Sequence, residues 1–234
     1  VKYFVIADTH GRYDLVDKAR QAIQEQYEVG DKVIYLGDYV DRGPDSRLII
    51  EHLIEAQKLN KNVICLQGNH EAMMLESIQT PLDASWWIGN GGDATLRSYG
   101  WGGEPYGLLA YEVVPKAHLE WLKSLLLFFE TEKQVFVHAG IPQYDMNLPP
   151  KKTYKGERLR QQMQWMLYPK TEAGGWRGKH VVHGHHQLPD GPHVWHGPKG
   201  GRTDLDVGAY YTDRLVIGVF DDTQGPAKEF IEVK

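Results

Sequence analysis

Aspartate, asparagine and histidine recur in this chain just after short apolar runs, and their types and spacing suit metal and phosphate chemistry. The first run closes on Asp8-Thr9-His10-Gly11. Two residues apart on an extended segment, Asp8 and His10 point to one side, and carboxylate plus imidazole is a ligand pair for a divalent transition metal. Gly11 lets the chain turn tightly. The second run ends in Gly37-Asp38-Tyr39-Val40-Asp41-Arg42-Gly43. Asp38 is placed like Asp8 one loop over, able to reach the same metal and a neighbouring one. Arg42 offers a planar fork that matches phosphate oxygens, although an Asp–Arg turn salt bridge would account for this segment equally well. The third run ends in Gly68-Asn69-His70-Glu71, where the Asn69 carbonyl is an oxygen ligand and His70 a general acid. His138 and the pair His183 and His185 follow two later runs. Each signal is weak alone, but five successive strand ends closing on Asp, Asn or His call for a chemical explanation.

The elements that must position these residues read as alternating strands and helices. Lys2 to Ala7, Lys32 to Leu36 and Asn62 to Leu66 are rich in Val, Ile and Tyr and give way at once to polar residues and glycine. Between them, Arg12 to Gln26 places Val16, Ala19 and Ile23 on one face. Asp45 to Lys58 does the same with Ile49, Leu53 and Ala56, capped by Asp45 or Ser46. This alternation predicts a parallel sheet whose ligands lie beyond the carboxyl ends of its strands. Further helices are expected over Trp86 to Tyr99, interrupted at Gly89-Asn90-Gly91-Gly92, over Pro115 to Leu126 with Leu119, Leu122 and Leu126 inward, and around Glu157 to Leu167. Gln134 to Val137, Lys179 to Val182, Arg202 to Val207, Arg214 to Phe220 and Ala227 to Val233 read as strands. We read residues 1–234 as one domain.

Composition narrows the class. The chain has 234 residues, 41% of them apolar and 24% charged, which is the balance of an ordinary globular protein. A net charge of −5 argues against general nucleic-acid binding. No apolar run reaches the 18 residues of a membrane span, no signal peptide precedes the first strand, and a single cysteine, Cys65, points to a reducing, cytoplasmic setting. Cys65 itself reads as buried and inert.

In order and spacing these motifs resemble the calcineurin-like metallophosphoesterases, within them the bacterial and phage branch of the phosphoprotein phosphatases. The resemblance runs from Asp8 to about Leu215 and includes Asn90-Gly91-Gly92 and Asp206-Val207-Gly208-Ala209. It implies an α/β fold, the αββα sandwich of that family. It makes Asp8, His10 and Asp38 ligands of one metal, with Asp38 bridging to a second held by Asn69, His138 and His185. It implies that the two metals share a bridging hydroxide that attacks a phosphomonoester in line. His70 would protonate the leaving oxygen with Asp41 fixing its tautomer, and Arg42 would hold the phosphate. The mixed Asp, Asn and His set favours Mn, Fe or Zn over calcium, and manganese is preferred by family analogy.

One departure stands out. The family's second phosphate-binding arginine aligns with Leu167 in Gln161 to Leu167. Residues 151 to 179 carry eight basic side chains against two acidic ones, so +6 locally and −11 for the rest. This stretch reads either as a solvated basic segment or as a lip that recruits an anion, with Arg158, Arg160 and Arg177 the candidates to replace the missing arm. His183 is a candidate substrate contact or structural residue, and Trp86, Trp87 and Trp101 are either core or a cap on the cleft. The expected activity is that of a serine/threonine-type phosphatase acting on a phosphoprotein or small phosphoester. A dinucleoside tetraphosphate hydrolase is the alternative, and a metal-binding partner without catalysis the more distant one.

Overall fold

Residues that alternate between two apolar environments build the centre of the molecule. In the computed structural model, residues 1–79, 84–103, 112–142, 157–168, 174–198 and 200–234 are described. Strand β1 (Lys2–Ile6) sends Phe4 and Ile6 to one face and Tyr3 and Val5 to the other, all buried. Such alternation is what a strand covered on both faces requires. The same division holds in β2 (Lys32–Tyr35), followed in parallel by β3 (Val63–Cys65), and in β9 (Leu215–Asp221). Strand β10 (Glu229–Val233) completes a five-stranded sheet of order β10-β9-β1-β2-β3.

A second five-stranded sheet has the order β4-β5-β6-β8-β7 and comprises Phe128–Glu130, Gln134–Val137, His180–His183, Arg202–Asp204 and His193–Trp195 for β4, β5, β6, β8 and β7. Phe136 and Val182 from this sheet pack against Tyr3, Val5, Ile34 and Phe220 of the first, forming the apolar layer between the sheets. On the outer face of the first sheet lie α1 (Tyr13–Gln24) and α2 (Ser46–Leu59), through Leu15, Val16, Ala19, Ile49, Ile50 and Leu53. On the outer face of the second, Met163 of a helix at Glu157–Trp165 meets Val135, Val137 and Val181. The order is helix, sheet, sheet, helix, the αββα sandwich that the resemblance implied.

Two details depart from the sequence reading. Strands β4 and β7, three residues each, have no counterpart in the sequence reading; the first follows the expected helix end at Leu126 and the second lies between prolines and glycines. The helix expected from Pro115 stops at Ser124, so Leu126 is 36% exposed, its backbone bridging Leu66 instead of packing inward. The Trp86 to Tyr99 stretch is interrupted within its glycines, as expected, by a kink at Gly91. Short turns at Ser85–Trp87, Ile88–Gly92 and Asp93–Ser98 run on from one another, with Gly91 at φ +100°.

Strands β1, β2 and β3 are parallel, as are β5, β6 and β8. Their carboxyl-terminal loops carry the motifs, and the His138 imidazole Nδ1 lies 3.1 Å from Leu36 O, joining the rims of the two sheets. Among the described residues no helix is long and apolar enough to cross a membrane.

Candidate active site

Backbone conformation aims the polar residues. Asp8, His10, Asp38, Asp41, Arg42 and His185 all have positive φ, between 40° and 73°. These are six of the eight non-glycine residues with positive φ among the described residues, which places the backbone strain at this rim. The expectation that Asp8 and His10 share a side through extended geometry is therefore corrected: left-handed turns, not strand alternation, bring them together. The turns lock onto each other, with His10 N donating to Asp38 O at 2.9 Å and Gly11 N to Tyr39 O at 2.9 Å. Two glycines admit the carboxylates. A Cβ on Gly184 would stand 1.9 Å from Asp8 Oδ2, and one on Gly68 would stand 2.1 Å from Asp38 Oδ1.

The side chains converge on a cavity of about 120 Å³ walled by Asp8, His10, Asp38, Asn69, His70 and His185, with Arg42 and Trp165 beside them. Asp38 Oδ2 lies 3.5 Å from His138 Nε2, 3.6 Å from His10 Nε2 and 3.9 Å from His70 Nε2. These separations exceed good hydrogen bonds and suit donor atoms arranged around cations. His10 and His138 each turn Nδ1 to a backbone carbonyl, of Val40 at 2.9 Å and Leu36 at 3.1 Å. Their Nε2 atoms are thereby left as lone pairs facing inward, the usual orientation of a metal-binding imidazole. His138 Nε2 is 2.8 Å from Asn69 Oδ1, two oxygen and nitrogen acceptors meeting where a shared cation would hold both.

Electrostatics agree. Burial, reinforced by neighbouring imidazole and guanidinium charge, holds His10 well below the ordinary imidazole range, and burial with His138 lowers His185 to about 3, so both are neutral and ligand-competent. Burial followed by the charges of Asp206 and Asp38 pushes Asp8 well up, an excess of negative charge that cations would offset. Asp38 is depressed, its burial outweighed by His138, His70, His10 and His185. Two sets of donors lie within 4.8 Å of one another: His10, Asp38 and His70, and Asp38, His138 and His185. Asp38 belongs to both sets, and these carboxylate, amide and imidazole donors would suit divalent transition metals. Asp8 belongs to neither tight set, its Oδ2 accepting the His185 N–H at 3.0 Å, but it walls the same cavity.

His70 is held by a buried carboxylate. Its Nδ1 donates to Asp41 Oδ2 at 2.7 Å, which leaves Nε2 for the cavity. Burial opposes its charged form, but Asp38 and Asp41 outweigh that and raise His70 above the ordinary imidazole value. Asp41 is itself fixed by the Trp87 indole at 2.9 Å and the Thr95 hydroxyl at 2.7 Å. Arg42 Nη1 donates to His10 Nε2 at 3.0 Å, and its guanidinium lies 4.6 Å over the Tyr210 ring.

Sequence reasoning missed several supports. Glu71, fully buried, accepts the backbone N–H groups of Asp38, Tyr39 and Gly68 at 2.8 to 2.9 Å and so fixes the loops after β2 and β3 against each other; its adjacency to His70 was the available signal. Tyr210 and Trp87 act through partners 168 and 46 positions away in sequence, for which no local signal exists. Trp87 is core and Trp101 packs against the core, whereas Trp86 is 63% exposed.

The auxiliary contacts divide. His183 is buried and turned away from the cavity: Nδ1 donates to Gly184 O, and Arg202 donates to its Nε2 at 3.0 Å. Of the two readings of His183, these contacts fit the structural residue and not the substrate contact. Arg177 is exposed, its guanidinium 4.6 Å over the Trp176 ring, and does not wall the cavity. Arg160 donates to Gln67 Oε1 at 3.1 Å in a cleft adjoining the cavity. The Arg158 side chain, and Lys151, Lys152, Lys155 and Lys170, lie outside the described residues. Leu167 is exposed, and Trp165, two residues earlier, enters the cavity wall.

Residues 1–214 match the sequence profile of the calcineurin-like phosphoesterases. The chain belongs to that family. It is 33% identical over 90 residues to serine/threonine-protein phosphatase 2 of Escherichia coli (strain K12), the aligned part covering 38% of each chain. It is 30% identical over 94 residues to serine/threonine-protein phosphatase 1 of Salmonella typhimurium, covering 40% of each. The chain thus spans about two-fifths of the length of the curated relatives it matches. A solved structure provisionally described as a diadenosine tetraphosphatase superposes with a TM-score of 0.64 at 21% identity, over 99% of this chain and 92% of that one. For this calcineurin-like chain, that likeness speaks to the fold.

Proposed function

We propose that this calcineurin-like protein is a dinuclear metal-dependent phosphatase that hydrolyses phosphomonoesters, in the manner of a serine/threonine-type protein phosphatase. The observation that carries the reading is the arrangement around Asp38, where three imidazole nitrogens meet one carboxylate oxygen within 3.9 Å, beside an acid held by its own carboxylate. Asp8, His10 and Asp38 would hold one metal, and Asp38, Asn69, His138 and His185 the other. When bound, the two metals would supply an activated water and neutralise phosphoryl charge; the donor set suits manganese, iron or zinc, and family analogy favours manganese.

The chain's own residues do the rest. Arg42 orients the phosphate, steadied by Tyr210. His70 delivers its proton from Nε2 to the leaving oxygen, while Asp41, held by Trp87 and Thr95, keeps the imidazole oriented and favours its protonated form. The anchored Asp41–His70 pair counts against a partner protein without catalysis, since a metal scaffold needs neither.

Curated relatives favour a phosphoprotein substrate, and the solved fold neighbour favours a dinucleoside tetraphosphate as the second reading. Hydrolysis of p-nitrophenyl phosphate with added Mn²⁺, compared between wild type and His70→Asn, tests the reading. The variant is expected to turn over ~10²–10⁴ times more slowly. A wild type no faster than the variant would end the catalytic account.

A further inference from the structure

The wall of the metal cavity includes two neutral amides that neither the metal donors nor the His70 acid uses, Asn90 and Gln187. Asn90 spends its Nδ2 on Trp86 O at 2.8 Å. Gln187 is half-buried, and its side-chain amide makes no hydrogen bond to another described residue. The backbone around it is nevertheless pinned. On one side His186 N donates to Gly184 O at 2.9 Å, and on the other Leu188 N donates to Asp206 O at 2.8 Å. Arg214 Nη1 holds the next residue of the loop, donating to Pro189 O at 2.8 Å. An unpartnered amide therefore faces the cavity from a fixed base.

Among the described residues, Arg42 is the only arginine or lysine in that wall. Its planar fork matches two phosphate oxygens, whereas the phosphoryl group of a monoester presents three non-bridging ones. Arg42 lies in the loop after β2 of the first sheet, and Gln187 in the loop after β6 of the second, so the two enter the cavity from different rims. The other basic candidates are engaged elsewhere. Arg160 donates to Gln67 Oε1 in the adjoining cleft, and Arg177 lies over the Trp176 ring. Resting on the phosphoesterase reading, we propose that Gln187 binds the phosphate, its Nε2 donating to a non-bridging oxygen that Arg42 does not hold. The amide supplies two N–H donors, and phosphate oxygens only accept once the group is fully ionised. A hydrogen bond to such a charged acceptor is worth about tenfold in affinity or more.

The test follows inorganic phosphate, by calorimetry and as an inhibitor of p-nitrophenyl phosphate hydrolysis. It compares wild type, Gln187→Ala, Gln187→Glu and Arg160→Ala, each loaded with Mn²⁺ and assayed for bound metal on the same sample. Gln187→Ala is expected to weaken phosphate about tenfold and to raise KM by a similar factor, with kcat little changed and metal content equal to wild type. Gln187→Glu keeps the shape but replaces donors with a negative charge, and should weaken phosphate further. Phosphate affinity equal to wild type in both Gln187 variants overturns the proposal. So does a loss of metal in Gln187→Ala that Gln187→Glu restores, which is the pattern of a metal ligand, and so does a weakening confined to Arg160→Ala. Wild type without hydrolysis would instead overturn the phosphoesterase reading, while the calorimetry would still report on Gln187.

Discussion

At Asp41 one carboxylate receives the His70 imidazole, the Trp87 indole and the Thr95 hydroxyl, and the acid is only as well aimed as this junction. Trp87→Phe keeps the buried ring and removes one N–H donor. We expect kcat on a phosphoserine peptide to fall about tenfold with KM little changed, as losing a hydrogen bond to a charged group would imply. A kcat equal to wild type would mean that Trp87 is packing alone. The principal site residues were legible because each closes an apolar run. The roles of Trp87 and Tyr210 were not, because their partners lie elsewhere in sequence and proximity in space leaves no mark on spacing; Glu71 had a signal in its place beside His70, but its bonds to Asp38 and Tyr39 did not show. Spacing left two readings of His183 open for a related reason: two positions from His185 implies a shared side only on an extended chain, and His185 is left-handed at φ 69°.

Element geometry places the carboxylates through the turns that leave the strands. Gly184 has no positive φ, so the cost of a side chain there is close approach, to Asp8 Oδ2 at 1.9 Å first and to Ala7 Cβ at 2.8 Å. Gly184→Ala is expected to displace the Asp8 carboxylate and reduce retained metal and turnover at least tenfold, with secondary structure unchanged by circular dichroism. Metal content equal to wild type would show that Asp8 can yield without loss. The three parallel strands of the first sheet were readable from their Val and Ile content and from the helices between them. Strands β4 and β7 were not, since three residues at a sheet's edge region give too few positions for a period of two. Nor do Asp, His and Arg announce positive φ; only the neighbouring glycines 11, 37 and 43 hint at the turns.

Across the whole molecule, two sheets bury histidines that the metal site does not use. His180 accepts or donates between Gly200 O and Thr203 Oγ1, and burial lowers it to about 4. An unfolded histidine takes up its proton near 6.5, so as pH falls below 6.5 the unfolded state gains protons that folded His180 refuses until about 4. Its contribution to stability is present above 6.5 and is lost as pH falls toward 4, by up to about 1.4 kcal/mol per pH unit. Glu71 and Asp206, raised by burial to about 7, work in the opposite sense, so the comparison is between wild type and His180→Asn. Thermal melts should show a steeper loss of stability for wild type between pH 6.5 and 4, and parallel profiles would contradict it. The claim on which the account turns is that Asp38 joins two metal sites into one catalytic centre. Titrating chelator-treated protein with Mn²⁺ while following p-nitrophenyl phosphate hydrolysis tests it most directly. Activity should climb to a plateau at two equivalents per chain in wild type and fail to recover in Asp38→Asn; full turnover without metal, or normal recovery in Asp38→Asn, would contradict it.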